Sequence, residues 1–183
     1  LLQTLDLQIA PLAQDIYAKR KAFLEEFSPT FEKKYHLLSG EKETVKLLYN
    51  SQLGSCTYDE LVVSNRSKDL AIHRSFSGIH KDEIEIEIGD FSIKKHGSQG
   101  QIKSALIALK LAEYEYLKSK KDILPLLLLD DIFEKIDEER ALVLTQLIKN
   151  DNFGQIFVTD TNQERLSAFC EEIGKPHTTL VLK

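Results

Sequence analysis

The sequence predicts an α/β protein whose second half alternates helices with the strands of a layered, parallel sheet. Leu126-Leu127-Leu128-Leu129 is an apolar run without alternation, the pattern of a strand buried on both faces. Helical apolar spacing fills the stretches on either side of it, from Gln99 to about Lys118 and from Glu138 to Ile148. A second short apolar strand, Gln155 to Thr159, follows. Strands separated by helices in this way lie parallel. The first forty residues read as helix instead. We therefore expect a helical segment over residues 1–40 and the α/β domain over residues 41–183.

The bulk properties exclude several classes. The chain has 183 residues, 42% hydrophobic and 29% charged, as in ordinary globular domains. Its net charge of −5 gives no bulk pull toward nucleic acid, so any such contact needs a local basic face. No apolar run reaches membrane-spanning length, and no signal-peptide pattern opens the chain. Cys56 and Cys170 stand far apart without a CxxC, which suits a reducing compartment. Methionine is absent and the chain opens inside a helical pattern, so it is expected to be a piece of a longer protein.

Leu2, Leu5, Ile9, Leu12, Ile16 and Phe23 recur at spacings of three, four or seven, an amphipathic helix. Pro11 predicts a kink or a junction within it. The stripe would serve a coiled coil or pack on its own domain. Lys19 and Glu26 break the heptad and favour the second. Ser28-Pro29 predicts a turn, Phe31 to Leu38 a short helix, and Thr44 to Tyr49 a strand. Thr57 to about Asp69 predicts a helix opened by a capping box of Thr57 and Glu60. Lys33-Lys34 and Arg66-Ser67-Lys68 are basic clusters, expected to be solvated faces rather than DNA contacts.

The loop from His73 to Asp82 holds two histidines but no third ligand at a metal-site spacing, so we expect hydrogen-bonded loop histidines. Glu83 to Ile88 alternates strictly and predicts a half-buried strand. Gly89-Asp90 makes a hairpin turn and Phe91 to Ile93 the return strand. Ser98 then caps the helix whose apolar face is Ile102, Ala105, Leu106, Leu109, Ala112 and Tyr116. Asp137 caps the next helix, which would bury Leu142, Val143, Leu147 and Ile148. Asn162 to about Glu172 predicts a helix ended by Gly174, and Thr178 to Leu182 a final strand.

Two short stretches carry chemistry. Asp130 and Asp131 follow the leucine strand, and ligands of open α/β sheets sit beyond the carboxyl ends of strands. One acid there can hold magnesium, and its neighbour can orient or deprotonate a water. Ser98-Gln99-Gly100-Gln101 opens a helix, where free N–H groups and a partial positive charge make an anion site. An ordinary capped helix start and a solvated strand end would look the same separately. Their order, one helix apart, makes them specific together.

In these motifs the chain resembles the ABC-type ATPases of DNA maintenance. Ser98-Gln99-Gly100-Gln101 resembles their signature motif, Leu126 to Asp131 their Walker B strand and Phe133 to Asp137 their D-loop. Thr159-Asp160-Thr161 falls where their switch residue is expected. Within that group the chain is most similar to the RecF family, through Gly78-Ile79-His80-Lys81-Asp82, Ile16 to Arg20 and the helix around Ala108 to Glu113. Ile79, Lys81, Lys103 and Asp160 depart from that family's usual proline, arginines and histidine. No G-x-x-x-x-G-K-[ST] occurs; the only Gly-Lys, Gly174-Lys175, is followed by Pro176.

The resemblance implies the C-terminal part of an ABC-type P-loop ATPase head joined to a helical arm. It implies ATP and Mg2+ as cofactors, with Asp130 on the metal and Asp131 polarising water. It also implies that Ser98, Gln99, Gly100 and Gln101 meet ATP held by a second subunit, with Asp137 in the D-loop and Asp160 in the switch region. ATP-driven homodimerisation, binding to DNA at gaps between single and double strands, and recombination mediator partners follow from the same likeness. So do a cytoplasmic location and weak ATP hydrolysis by the whole protein, with none by this piece alone. The alternatives are the head of an SMC-like or double-strand-break repair ATPase, and a non-catalytic interaction module.

Overall fold

The computed structural model describes residues 2–121, 123–150 and 153–181. The chain divides into two compact units, one made of Leu1–Pro29 and Lys46–Glu87, the other of Thr30–Val45 and Ile88–Lys183. One helix, α1 (Leu2–Leu38), contributes to both, and the division falls at Pro29. The turn expected at Ser28-Pro29 and a helix junction at Pro11 are therefore corrected: one helix runs through both prolines. Each proline removes one hydrogen bond from the ladder. Beside the second, the Ser28 hydroxyl donates to the Leu24 carbonyl at 2.6 Å. Aromatic pairs one turn apart, Phe23–Phe27 at 5.2 Å and Phe31–Tyr35 at 6.4 Å, support the helix on either side.

The first unit holds all of α2 (Tyr58–Ile72) and most of α1, β1 (Val45–Asn50) and β2 (Glu83–Ile88). Ala13, Leu53 and Leu61 form its core, with Tyr17, Cys56, Tyr58 and Ile79 packed on it. The apolar stripe of α1 is buried only in part. Ala13, Leu24 and Phe27 are buried, but Leu2, Leu5, Ile9 and Leu12 are exposed. Toward that end α2 also meets α1 through the Asp6–Arg66 ion pair.

The capping box of α2 is present as expected: Glu60 N–H donates to Thr57 Oγ1 at 3.3 Å, and Thr57 N–H to Glu60 Oε2 at 2.8 Å. The Thr57 N–H, and the Thr57 hydroxyl that also donates to Glu60 Oε2 at 2.9 Å, hold the Glu60 carboxyl below its ordinary range. Thr57→Ala is expected to cost about 1 kcal/mol. Faster amide exchange in the first turn of α2, with Thr57→Ser near the parent, would show it.

Two stretches far apart in sequence meet in this unit. Arg20 donates to Asp82 Oδ2 at 2.9 Å and to the Ile79 carbonyl at 2.7 Å. Tyr49 donates to the same carboxylate oxygen at 2.6 Å and stacks on Tyr17. The Asp82 side chain is only 3% exposed, so the guanidinium makes its burial tolerable. In the loop before it, the His80 ring is held 3.3 Å from the Ser75 carbonyl, as expected for that histidine. Among the described residues no group of histidine, cysteine and acidic side chains is arranged to hold a metal.

The chain turns at Gly89, where φ is +57°, and returns as β3 (Phe91–Ser92), the outer strand of the order β1-β2-β3. Ile93 does not continue that strand; it starts a short helix, α3 (Ile93–His96). Gly97 ends α3, and a Cβ there would lie 2.5 Å from the Ile93 carbonyl oxygen, so only glycine fits.

The second unit continues with α4 (Gln99–Lys121), β4 (Leu127–Leu129), α5 (Glu138–Asn150), β5 (Ile156–Val158) and α6 (Gln163–Ile173). β4 and β5 are parallel as predicted, with Leu127, Leu128 and Leu129 opposite Ile156, Phe157 and Val158. They are not buried on both faces. Leu127 and Leu129 point inward, whereas Leu128 is 64% and Phe157 49% exposed. Two strands covered on one side keep the alternation of an open sheet.

The buried face of α4 is also turned from the expected one. Ile102 and Leu106 are exposed, and Ser104, Ala105, Ile107, Ala108, Leu111, Ala112 and Tyr114 are buried. Small residues let neighbours come close there, and the Tyr114 ring lies 4.7 Å from Phe153 while its hydroxyl accepts from the Gly154 N–H. In α5, Leu144, Thr145 and Ile148 are buried and Leu142 is exposed. Asn162 caps α6 and Gly174 ends it with φ +66°, as predicted. No strand forms over residues 178–181; Leu182 lies outside the described residues. Lys34 and Arg66 are not free solvated charges either, since Lys34 pairs with Glu115 at 2.5 Å and Arg66 with Asp6.

Candidate functional site

The acidic strand end is built by the β4–β5 pair. Thr159, the residue after β5, donates its N–H to the Leu129 carbonyl at 3.0 Å and so extends the ladder by one rung. Its hydroxyl donates to Asp130 Oδ1, and it accepts the Asp131 N–H at 3.0 Å. Asp130 is exposed at the strand's carboxyl end, a hard oxygen donor beside a hydroxyl. That donor set fits magnesium. Asp131 holds a left-handed conformation, φ +47°, which aspartate tolerates better than most residues. Its carbonyl accepts the Glu134 N–H at 3.0 Å, so the chain turns sharply directly after the strand.

The turn that follows is pinned from two sides. Lys135 has φ +64°. Phe133 is buried edge-on against Phe169 of α6 at 5.1 Å. Arg165 of α6 lies over the Phe133 ring and grips Asp160 with three bonds of 2.7 to 3.2 Å. The Asp160 side chain is 1% exposed and also accepts the Asn162 N–H at 2.6 Å. Its oxygens are thus engaged toward α6. Thr159, next to it, is the residue of this segment that touches Asp130.

The glycine turn is closed by its own capping box. Gln101 N–H donates to Ser98 Oγ at 3.2 Å, and Ser98 N–H to Gln101 Oε1 at 2.9 Å. Gln101 also donates to Glu43 Oε1 at 3.0 Å, so both ends of its amide are used inside the chain. Gln99 is exposed in the first turn of α4. Gly100 has an ordinary φ, and a Cβ there would meet the Lys135 carbonyl oxygen at 3.5 Å, plain van der Waals contact. The chain's own packing does not demand glycine there.

Asp137 caps α5 by accepting the Arg140 N–H at 2.8 Å. Arg140 reaches back to α4, donating to Ser104 Oγ at 2.8 Å and to the Gly100 carbonyl at 3.4 Å. Lys103 of α4 comes within 3.5 Å of the Asp130 carbonyl. The structure thus links Ser98, Gly100, Gln101 and Asp137 through Arg140, and Asp130 and Asp131 through Thr159. Arg140 was detectable as the residue three after a helix cap. Glu43, 58 residues before Gln101, left no trace in local pattern. Burial, and then the bond to Glu43 at 2.6 Å, push the Tyr35 phenol above its ordinary range and keep it a donor.

No protein-family model matches the chain. The DNA replication and repair protein RecF of Bacteroides thetaiotaomicron is 44% identical over 169 residues, 92% of this chain and 46% of that protein. The RecF of Flavobacterium johnsoniae is 45% identical over 161 residues, 88% of this chain and 45% of that protein. This chain belongs to the RecF family. It spans about half the length of the curated RecF relatives it matches.

Solved structures agree on the fold. The recombination mediator protein RecF with ATP, of the RecFOR pathway, matches 89% of the chain and 45% of its own length with a TM-score of 0.73 at 23% identity. The Smc head bound to the C-winged helix domain of ScpA matches 87% of the chain with a TM-score of 0.52 at 20% identity. The fold is thus that of an ABC-type ATPase head, as expected, and the RecF resemblance read from Gly78 to Asp137 holds over most of the chain.

Proposed function

We propose that the whole protein is a RecF-type, ATP-dependent DNA-binding protein of replication and recombinational repair. This chain supplies two half-sites to it. Asp130 holds Mg2+ at the end of β4, and Asp131 orients and polarises the attacking water. Magnesium held by Asp130 would supply positive charge to offset that of the phosphates. Ser98, with the N–H groups of α4's first turn, meets the γ-phosphate of ATP held by a second copy. Gly100 lets that phosphate approach.

The observation that carries this reading is the convergence, in one unit, of the acidic strand end, the pinned turn before α5 and the glycine-opened start of α4. That Gly100 is not required by its own surroundings supports a requirement from outside the subunit. In the cytoplasm, ATP-driven pairing of two copies would control hold on DNA at gaps and recruitment of recombination mediators. No helix among the described residues is long and apolar enough to cross a membrane.

Sedimentation of the full-length protein tests the reading. ATP is expected to convert monomer to dimer, and Ser98→Arg to block that while ATP binding persists. This chain alone is expected to turn over no ATP. Turnover by it that Asp131→Asn abolishes would overturn the division into half-sites.

A further inference from the structure

Arg140 is the most heavily engaged side chain near these half-sites. Besides Ser104 and the Gly100 carbonyl, it pairs through NH2 with Glu43 Oε1 at 3.2 Å and through Nε with Asp137 Oδ2 at 3.3 Å. Its side chain is 15% exposed. All three guanidinium nitrogens therefore have partners, which fixes the plane of the fork. Glu43 is equally committed, accepting Arg140 and Gln101 on one oxygen and the buried Tyr35 hydroxyl on the other.

The bonds run in two directions. One reaches Asp137, where α5 begins beside the acidic strand end. The other reaches Gly100 directly, and Gln101 and Ser98 through Glu43. We propose that the Arg140–Glu43 pair is a brace that couples the two half-sites of one subunit. It keeps the start of α4, facing a partner's ATP, in register with the turn before α5, facing this subunit's ATP. The proposal rests on the half-site reading above. Arg140 is on this account a positioning residue and touches no nucleotide. Gln101 belongs to the brace rather than to the phosphate contacts, because both ends of its amide are already bonded within the chain. A rigid element biased from both sides gives reciprocal coupling.

The test uses the full-length protein and two readouts. A fluorescent ATP analogue at low protein concentration measures the affinity of single subunits. Ultracentrifugation against ATP concentration measures dimerisation and its Hill coefficient. Arg140→Ala is expected to leave single-subunit affinity little changed, to weaken the dimer about tenfold or more, and to bring the Hill coefficient toward one. Arg140→Lys keeps the charge and the stem but loses the fork, and is expected to weaken the dimer about fivefold. Glu43→Gln keeps the shape and the Tyr35 bond and is expected to act in the same direction. If Arg140→Ala does not fold, the other two variants carry the test. A parent that shows no ATP-driven dimer overturns the underlying reading. A parent that dimerises, with Arg140→Lys and Glu43→Gln matching its constant and Hill coefficient, overturns the brace.

Discussion

Asp131→Asn in the full-length protein is expected to lower single-turnover ATP hydrolysis by about 100-fold or more, the usual worth of a positioned acid–base group. The backbone is expected to stay as it is. Asp131 has φ +47°, and asparagine accepts that conformation as readily as aspartate. The bond from its main-chain N–H to the Thr159 hydroxyl does not use the carboxylate and survives the change. Only the carboxylate's charge is removed. ATP binding and dimerisation should therefore persist, and ATP-bound dimer should accumulate. Rapid-quench measurement of hydrolysis beside sedimentation separates the two. Hydrolysis at the parental rate would remove Asp131 from the chemistry. Asp131→Ala is a poorer probe, because alanine adds about 1 kcal/mol of left-handed strain and confuses a folding loss with a chemical one.

Phe133→Ala is expected to cost about 3 to 5 kcal/mol, the range for emptying a buried aromatic site. The ring is almost fully buried and sits edge-to-face on Phe169, which is itself buried. The Arg165 guanidinium lies 5.6 Å from the ring centroid on its way to Asp160. Removing the ring leaves a cavity between the turn and α6 and takes away one wall of the arginine's channel. The urea midpoint reports the loss. Phe133→Leu should lose less, since much of the volume remains. A Phe133→Ala midpoint within error of the parent would mean that α6 does not anchor the turn.

Elements with strong local chemistry were legible in the sequence. The Thr57–Glu60 capping box, the Asn162 cap and the Gly174 stop depend on side chains within four residues of each other, and all three formed as read. The parallel pairing of β4 and β5 followed from the order of elements. Readings failed where distant contacts decide. Pro29 reads as a breaker, yet the aromatic pairs around it keep α1 whole. The Leu126 to Leu129 run reads as doubly buried, because an apolar strand looks the same whether or not a second layer covers it. The α4 face departs from its apolar pattern because Ser104 and Ala108, which count for little in such a pattern, are fully buried.

The same division holds for the site. Ser98, Gly100, Asp130, Asp131 and Asp137 stood out as motif residues. Of their supports, Arg140 lies at helical spacing from Asp137, whereas Glu43 is 58 residues from Gln101, a separation that no spacing rule spans.

The open face of β4–β5 has a consequence for handling the chain. Leu128 and Phe157 stand opposite each other in register, and Leu126 beside them is exposed as well. Large exposed apolar side chains of this kind drive self-association. Colloidal behaviour of the chain by itself should then be governed by those side chains rather than by its net charge of −5. Salting-out ions would precipitate it early, and a mild detergent or a single lysine at position 128 would keep it dispersed without touching the acidic strand end.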